Sequence, residues 1–144
     1  MKFDASEIAA RQTALTARWH QVTPAVSAPV ANLKYELTFT RQTAATRTLT
    51  VRTRLDVTGP GDVLLSLPSW TPGAYEVSNF ARWVSEFSAK AGDKALRWDK
   101  LDYDTWRIRP EGARELEVSF TYTADTLDNA MAWSRPDFLM VNGT

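Results

Sequence analysis

Cysteine is missing from all 144 residues, and histidine occurs once, as His20. The first absence removes disulfides, thiolate metal sites and a cysteine nucleophile. The second leaves too few imidazoles for a zinc site, which ordinarily draws two or three from one chain. It also makes any serine–histidine triad depend on His20 alone. An excess of one charge is lacking too: Lys and Arg number 17, Asp and Glu 17. Proteins that hold nucleic acid through its phosphates carry a basic excess, so nucleic acid is not an expected partner. No apolar run approaches the roughly 20 residues that cross a bilayer, and no membrane partner is expected. Residues 1–20 lack the apolar centre of a signal peptide, which points to the cytoplasm, or to the periplasm if a leader has been removed. The sequence holds no HExxH, no GxSxG, no glycine-rich phosphate loop and no CxxC.

What is present is an ordinary globular composition, 44% hydrophobic and 24% charged, at the size of one domain. Residues 4–19 are rich in alanine and place Ile8, Leu15 and Trp19 on one helical face, with Asp4 or Ser6 as the cap. A helix that short is marginal alone in water, so docking or fraying is expected. Pro24 and Pro29 make residues 20–32 a linker, giving an N-terminal helix and proline-containing linker over 1–32 and a β-sandwich domain over 33–144.

From residue 33 the chain alternates with period two. Leu33, Tyr35, Leu37 and Phe39 face one way; Leu49, Val51, Leu55 and Val57 repeat the pattern, as do Leu116, Val118, Phe120 and Tyr122. Between 47 and 57, Arg52 and Arg54 point to a solvated face rather than an anion site. Shorter strands are expected at 63–67, 82–90, 95–99, 104–109 and 138–141, with Trp98, Trp106 and Ile108 in the core. Residues 41–46, 59–62, 91–94 and 110–114 read as turns. The fold class is all-β: an antiparallel sandwich, or a curved pair of sheets, of seven or eight strands with an N-terminal helix. The apolar segment before Asn142-Gly143-Thr144 reads as an exit into further chain.

Two constellations invite a chemical reading. Asp99, Asp102 and Asp104 are close in sequence, but an EF-hand loop beginning at Asp99 needs Gly at its sixth position and Glu at its twelfth, where Asp104 and Pro110 stand. They read as turn carboxylates. The second is 68–83, Pro-Ser-Trp-Thr-Pro-Gly-Ala-Tyr-Glu-Val-Ser-Asn-Phe-Ala-Arg-Trp. Pro72-Gly73 is a type II turn signature. Trp70 stands in a loop between prolines, where it either plugs the core or meets a partner. A free-standing sandwich that binds carbohydrate or protein through this loop is one reading.

The run Pro68-x-Trp70-x-Pro72-Gly73-x-Tyr75, followed by Phe80-Ala81-Arg82 and by Lys100-Leu101-Asp102-x-x-Thr105-Trp106, resembles the N-terminal domain of the glycyl aminopeptidase family of zinc metallopeptidases. Members of that family place a β-rich domain ahead of a thermolysin-like domain carrying HExxH. Where relatives have Arg-Asp-Phe after the tyrosine, this chain has Ser78-Asn79-Phe80. The resemblance implies a non-catalytic domain that supports the catalytic domain of its own parent chain and lines the substrate cleft. Trp70, Pro72, Gly73, Tyr75, Phe80 and Arg82 are the contact residues it suggests. Peptide substrate would be met only indirectly. Catalytic residues and metal ligands are expected in neither stretch of this chain; zinc belongs to the further domain. The isolated domain is expected to self-associate through surface that its neighbour covers.

Overall fold

The computed structural model describes residues 25–70, 72–73, 77–125 and 132–141. The helix expected over 4–19 lies outside the described residues. Ten strands run in chain order: β1 Val30–Thr38, β2 Thr48–Val57, β3 Val63–Ser66, β4 Val84–Ala91, β5 Lys94–Ala95, β6 Trp98–Lys100, β7 Thr105–Ile108, β8 Glu115–Thr123, β9 Ala132–Arg135 and β10 Phe138–Val141. They build an antiparallel five-stranded sheet β1-β2-β8-β4-β5, a three-stranded sheet β3-β7-β6 and the hairpin β10-β9. The fold is all-β, as the alternation predicts. Ten strands stand in place of eight because 95–99 divides into β5 and β6, and because β9 forms where the apolar pattern is weak.

Leu55, Leu116 and Val118 of the large sheet close on Val63 and Ile108 of the small one. Val63 and Ile108 have no exposed surface and Leu55 only 2%. A second, smaller cluster of Leu49, Ala124 and Ala132 seats the β9–β10 hairpin on the other end of the large sheet. Trp106 is buried, as expected. Trp98 is 39% exposed, because β6 is the outer strand of the small sheet and only one edge of its ring packs, 4.8 Å from Phe87.

Two bulges set the faces. Val30 pairs with Val57 and Lys34 with Arg54, so β1 spends an extra residue near Asn32. Asn32 sits at φ 52 and its side-chain amide donates to Asp56 at 2.6 Å. On β4, Ser85 pairs with Thr121 and Ser88 with Ser119, again one residue too many, with Glu86 at φ 52. An extra residue inverts the in–out parity of everything beyond it. Val84, opposite Tyr122, and Ala89, opposite Val118, therefore share the inner face although five positions separate them. Residues 41–46, read as a turn, contain a short helix, α1 (Arg41–Ala45), opened by reciprocal hydrogen bonds of Thr40 and Thr43. Phe80–Trp83 is a 3₁₀ turn leading into β4.

The outer face of the large sheet carries its charge in pairs. Glu117 accepts from Arg54 at 2.9 Å and lies 3.2 Å from Lys90 and 3.3 Å from Arg52, which also reaches Glu36 at 3.4 Å. Arg52 and Arg54 are thus neutralised by carboxylates of neighbouring strands, which leaves the solvated-face reading standing.

Candidate functional site

The inner face of the large sheet is wider than the small sheet that covers it. The uncovered part lies at the β1 edge, where Leu33, Tyr35 and Leu37 point inward yet are 43%, 69% and 55% exposed. Together with Val51 and Phe120 they floor an apolar trough of about 320 Å³. Its wall is the end of β3 and the residues after it, Leu65 to Pro68, with Trp106 beneath. Ala132 and Val141 of the hairpin contribute to the lining, and the hydroxyls of Tyr35, Thr53, Ser66 and Tyr122 and the indole N–H of Trp106 are the polar groups among the lining side chains. Such a surface excludes water readily but offers few directed hydrogen bonds, which suits an apolar segment more than a polar ligand.

The 68–83 loop stands at the wall. Pro68 and Phe80 line the trough. The base of the loop is closed by the amides of Ser78 and Asn79, which both donate to the carbonyl of Ser69 at 2.8 and 3.3 Å. Asn79 takes the left-handed conformation at φ 49 and starts the 3₁₀ turn. Trp70 is 53% exposed. Pro72 and Gly73 are exposed, and Gly73 has the positive φ, 90°, that the type II signature requires. Arg82 is exposed, its guanidinium 4.8 Å from the centroid of Trp83. Tyr75 lies outside the described residues. Of the five expected contact residues that are described, Phe80 alone lines the trough; Trp70, Pro72, Gly73 and Arg82 do not.

The Lys-Leu-Asp…Trp run is a folded clamp. The Asp102 carboxylate accepts from the amides of Asp104 and Thr105 at 2.9 and 2.8 Å. Lys100 spans the same turn, with its ammonium donating to the carbonyl of Tyr103 and lying 3.5 Å from the Trp106 ring centroid. Hydrogen bonding from Thr105, ahead of the Asp104 amide, holds the Asp102 carboxyl below its usual pKa, and burial lowers the Lys100 ammonium. Asp99 is held by Arg107 through two hydrogen bonds, 3.1 and 2.5 Å, and by Arg109 at 2.9 Å. Its pKa is lowered, Arg107 being the first cause. The acidic residues of 99–104 thus do not converge: Asp99 faces arginines and Asp102 faces backbone. Among the described residues no three His, Asp or Glu side chains stand where they could hold a metal ion.

The peptidase M61 N-terminal domain family matches residues 34–144. This chain belongs to that family. The match runs from the second half of β1 through the Trp70 loop and the clamp, the same stretches that carry the resemblance read from the sequence. A search of the curated proteins finds no match. Among solved structures, the crystal structure of an aminopeptidase N family protein from Idiomarina loihiensis is similar, with a TM-score of 0.64 and 18% identity. The similarity covers 78% of this chain and 20% of that one. At that identity the likeness is one of fold. The M61 N-terminal domain thus spans about a fifth of the larger protein it resembles in shape.

The sequence missed the trough itself. Strict alternation over Leu33–Phe39 is the same pattern whether a face is covered or open, so periodicity carries no signal for it. The one hint was the mismatch between a long strand pair, β1–β2, and the short strands available to pack on it.

Proposed function

We propose that this M61 N-terminal domain is the non-catalytic first domain of a zinc metalloaminopeptidase, where it supports the catalytic domain and forms one wall of the substrate cleft. Family membership carries the reading, and the size of the similar solved structure supports it: that chain is about five times the extent of the match. Zinc does not fit the residues here. Cysteine is missing, His20 is the single imidazole, and of the clustered carboxylates Asp99 is engaged by arginines and Asp102 by amides. Metal and general base are therefore assigned to the catalytic domain of the parent chain, and no catalytic step is drawn through this one.

The contact surface in this reading is the 68–83 loop, with Trp70, Pro72, Gly73, Tyr75, Phe80 and Arg82 as contact residues. Two amides on the Ser69 carbonyl close the base of this loop and Pro72 fixes one turn residue, features that reduce the entropy lost on docking. The experiment has two steps. Sequence encoded after Thr144 should contain HExxH within a few hundred codons. In the intact peptidase, Trp70→Ala should raise KM several-fold on peptides with little change in kcat, the mark of lost binding rather than lost chemistry. Unchanged KM and kcat would remove the cleft-wall role. Quenching of tryptophan fluorescence by a panel of sugars would favour a carbohydrate-binding module instead.

A further inference from the structure

We propose that two copies of this chain join through the free edge of β1, antiparallel about a two-fold axis at Tyr35, so that Lys34 of each copy faces Glu36 of the other. Self-association, expected from the sequence, is thereby assigned to one strand, separate from the 68–83 loop.

The edge is open and regular. β1 has β2 on one side, and among the described residues no strand pairs with the other side. The backbone N–H and C=O groups there are a template for a further strand. From Lys34 to Thr38 the register of β1 against β2 is uninterrupted. The open stretch of β4, by contrast, is bulged between Ser85 and Ser88, and a bulge keeps an edge from pairing. The described residues ahead of β1 leave its edge uncovered. Pro29 is fixed at the seam between the two sheets, where its carbonyl accepts from the amide and hydroxyl of Thr58 at 2.9 and 3.1 Å. Before it the chain runs beside β3 instead: the Ala28 amide donates to the carbonyl of Asp62 at 2.7 Å, and the Ser27 hydroxyl accepts from the Leu64 amide at 3.0 Å.

Charge chooses the register. Residues opposite each other in a continuous sheet point to the same side. An axis at Lys34 or at Glu36 sets that charge against its own copy. An axis at Tyr35 sets Lys34 against Glu36 twice, Leu33 against Leu37 twice and Tyr35 against itself, the self-complementary pattern of a two-fold contact. Lys34 lacks such a partner within the chain. It lies across from Arg54, whose guanidinium is taken by Glu117, and makes no ion pair among the described residues. Glu36 is reached by Arg52 alone, at 3.4 Å, and its side chain stays 53% exposed. On the inner face Tyr35 and Leu37 have Thr53 and Val51 beside them on β2 and no described strand on the other side, which leaves them 69% and 55% exposed. Pairing gives Leu33, Tyr35 and Leu37 each a cross-strand apolar neighbour and joins the two trough floors into one.

Sedimentation velocity on the 144-residue chain tests this, and the absence of cysteine allows disulfide trapping beside it. The wild type should pass from monomer to dimer as its concentration rises. Lys34 and Glu36 are exposed, so each is replaced without disturbing the core. Lys34→Glu alone, or Glu36→Lys alone, sets like charges opposite each other twice and should weaken the dimer about tenfold. Mixed in equal amounts, the two variants should recover wild-type association, because K34E meets E36K with opposite charges at both positions. Under mild oxidation Tyr35→Cys should link into dimers roughly tenfold faster than Thr38→Cys, whose two copies stand about 20 Å apart in this register. A wild type that stays monomeric at every concentration overturns the proposal. Variants that associate as tightly as the wild type, or a mixture no stronger than its components, put any association on another surface and overturn it too. Equal oxidation rates at positions 35 and 38 overturn the axis at Tyr35 and with it the charge pairing.

Discussion

The rings of Phe87 and Trp106 lie nearly parallel, 11° apart in plane and 5.1 Å between centroids, one from each of the two main sheets. Phe87 stands on β4 just past the bulge, and Trp106 on β7. Trp98 meets Phe87 edge-on at 4.8 Å, and Phe120 lies 6.5 Å beyond it. The stack joins the sheets where the trough floor begins. Trp106 is 4% exposed, so Trp106→Ala should cost about 3–5 kcal/mol by loss of buried area and a residual cavity. Trp106→Phe keeps a ring in the stack and should cost less than half as much. Urea denaturation gives both values. A loss under about 1 kcal/mol for the alanine variant would show that the small sheet is held by the Val63–Ile108 core alone.

Acid should unfold this domain through its paired carboxylates. The Glu117 carboxyl is held below its usual pKa, first by the hydrogen bond from Arg54 and then by Lys90 and Arg52. Asp99 and Glu111 are lowered likewise, by Arg107 and by Lys94. A carboxylate whose native pKa is depressed contributes stability above its unfolded value, about 4, and loses it as pH falls through the native value. The melting temperature should therefore be level from about pH 7 to 5 and fall below about pH 4. Glu117→Gln should melt lower at neutral pH and show a shallower acid limb, because three cations then face one another without that charge. A melting temperature that rises on acidification would contradict the sign.

Much of the fold was legible because burial on one face writes a period-two pattern, and Leu49–Val57 and Leu116–Tyr122 carry it without interruption. The bulges at Asn32 and Glu86 were not legible. A bulge changes parity without changing composition, so simple alternation over 82–90 would put Val84 and Ala89 on opposite faces where the structure puts both on the inner one. Strand β9 was hidden for a different reason. Its buried residues, Ala132 and Ser134, are small, and Ser134 is 1% exposed because its hydroxyl donates to the carbonyl of Ala124. Small side chains give periodicity little contrast. The Trp70 loop stood out at once through its prolines and tryptophan. The trough did not, since alternation tells which way a side chain points and not whether anything lies over it.

Two glycines should respond to alanine for opposite reasons. A Cβ on Gly59 would stand 2.7 Å from Pro29 Cγ and 2.9 Å from its Cδ, closer than packed atoms approach. Gly59→Ala should cost about 1–3 kcal/mol by overpacking. It should also speed hydrogen exchange at the Ala28 amide, which depends on Pro29 staying in place. Gly73 has open space around it but φ +90. Gly73→Ala should cost about 1 kcal/mol through backbone strain, leave exchange at Ala28 unchanged and act only on the loop. Similar exchange profiles for the two variants would mean that the seam at Pro29 is not a separate unit.

The clamp at Lys100–Trp106 gives this charged run a structural role. Asp102 offers one carboxylate oxygen to the amides of Asp104 and Thr105, beside a backbone bond from the Leu101 amide to the Thr105 carbonyl at 3.0 Å. Lys100 covers the ring of Trp106, which is also the ring stacked on Phe87. The turn thus fixes the tryptophan that joins the sheets. Asp102→Ala removes the acceptor of both amides and should cost about 1–3 kcal/mol. Asp102→Asn keeps an acceptor oxygen without the charge and should recover at least half of that loss. Chemical denaturation of the pair, with the amide shifts of Asp104 and Thr105 as a local readout, checks it. If the asparagine variant falls as far as the alanine one while both amide shifts stay in place, attraction to Lys100 rather than turn geometry holds the clamp, and salt should then weaken the wild-type domain to the same degree.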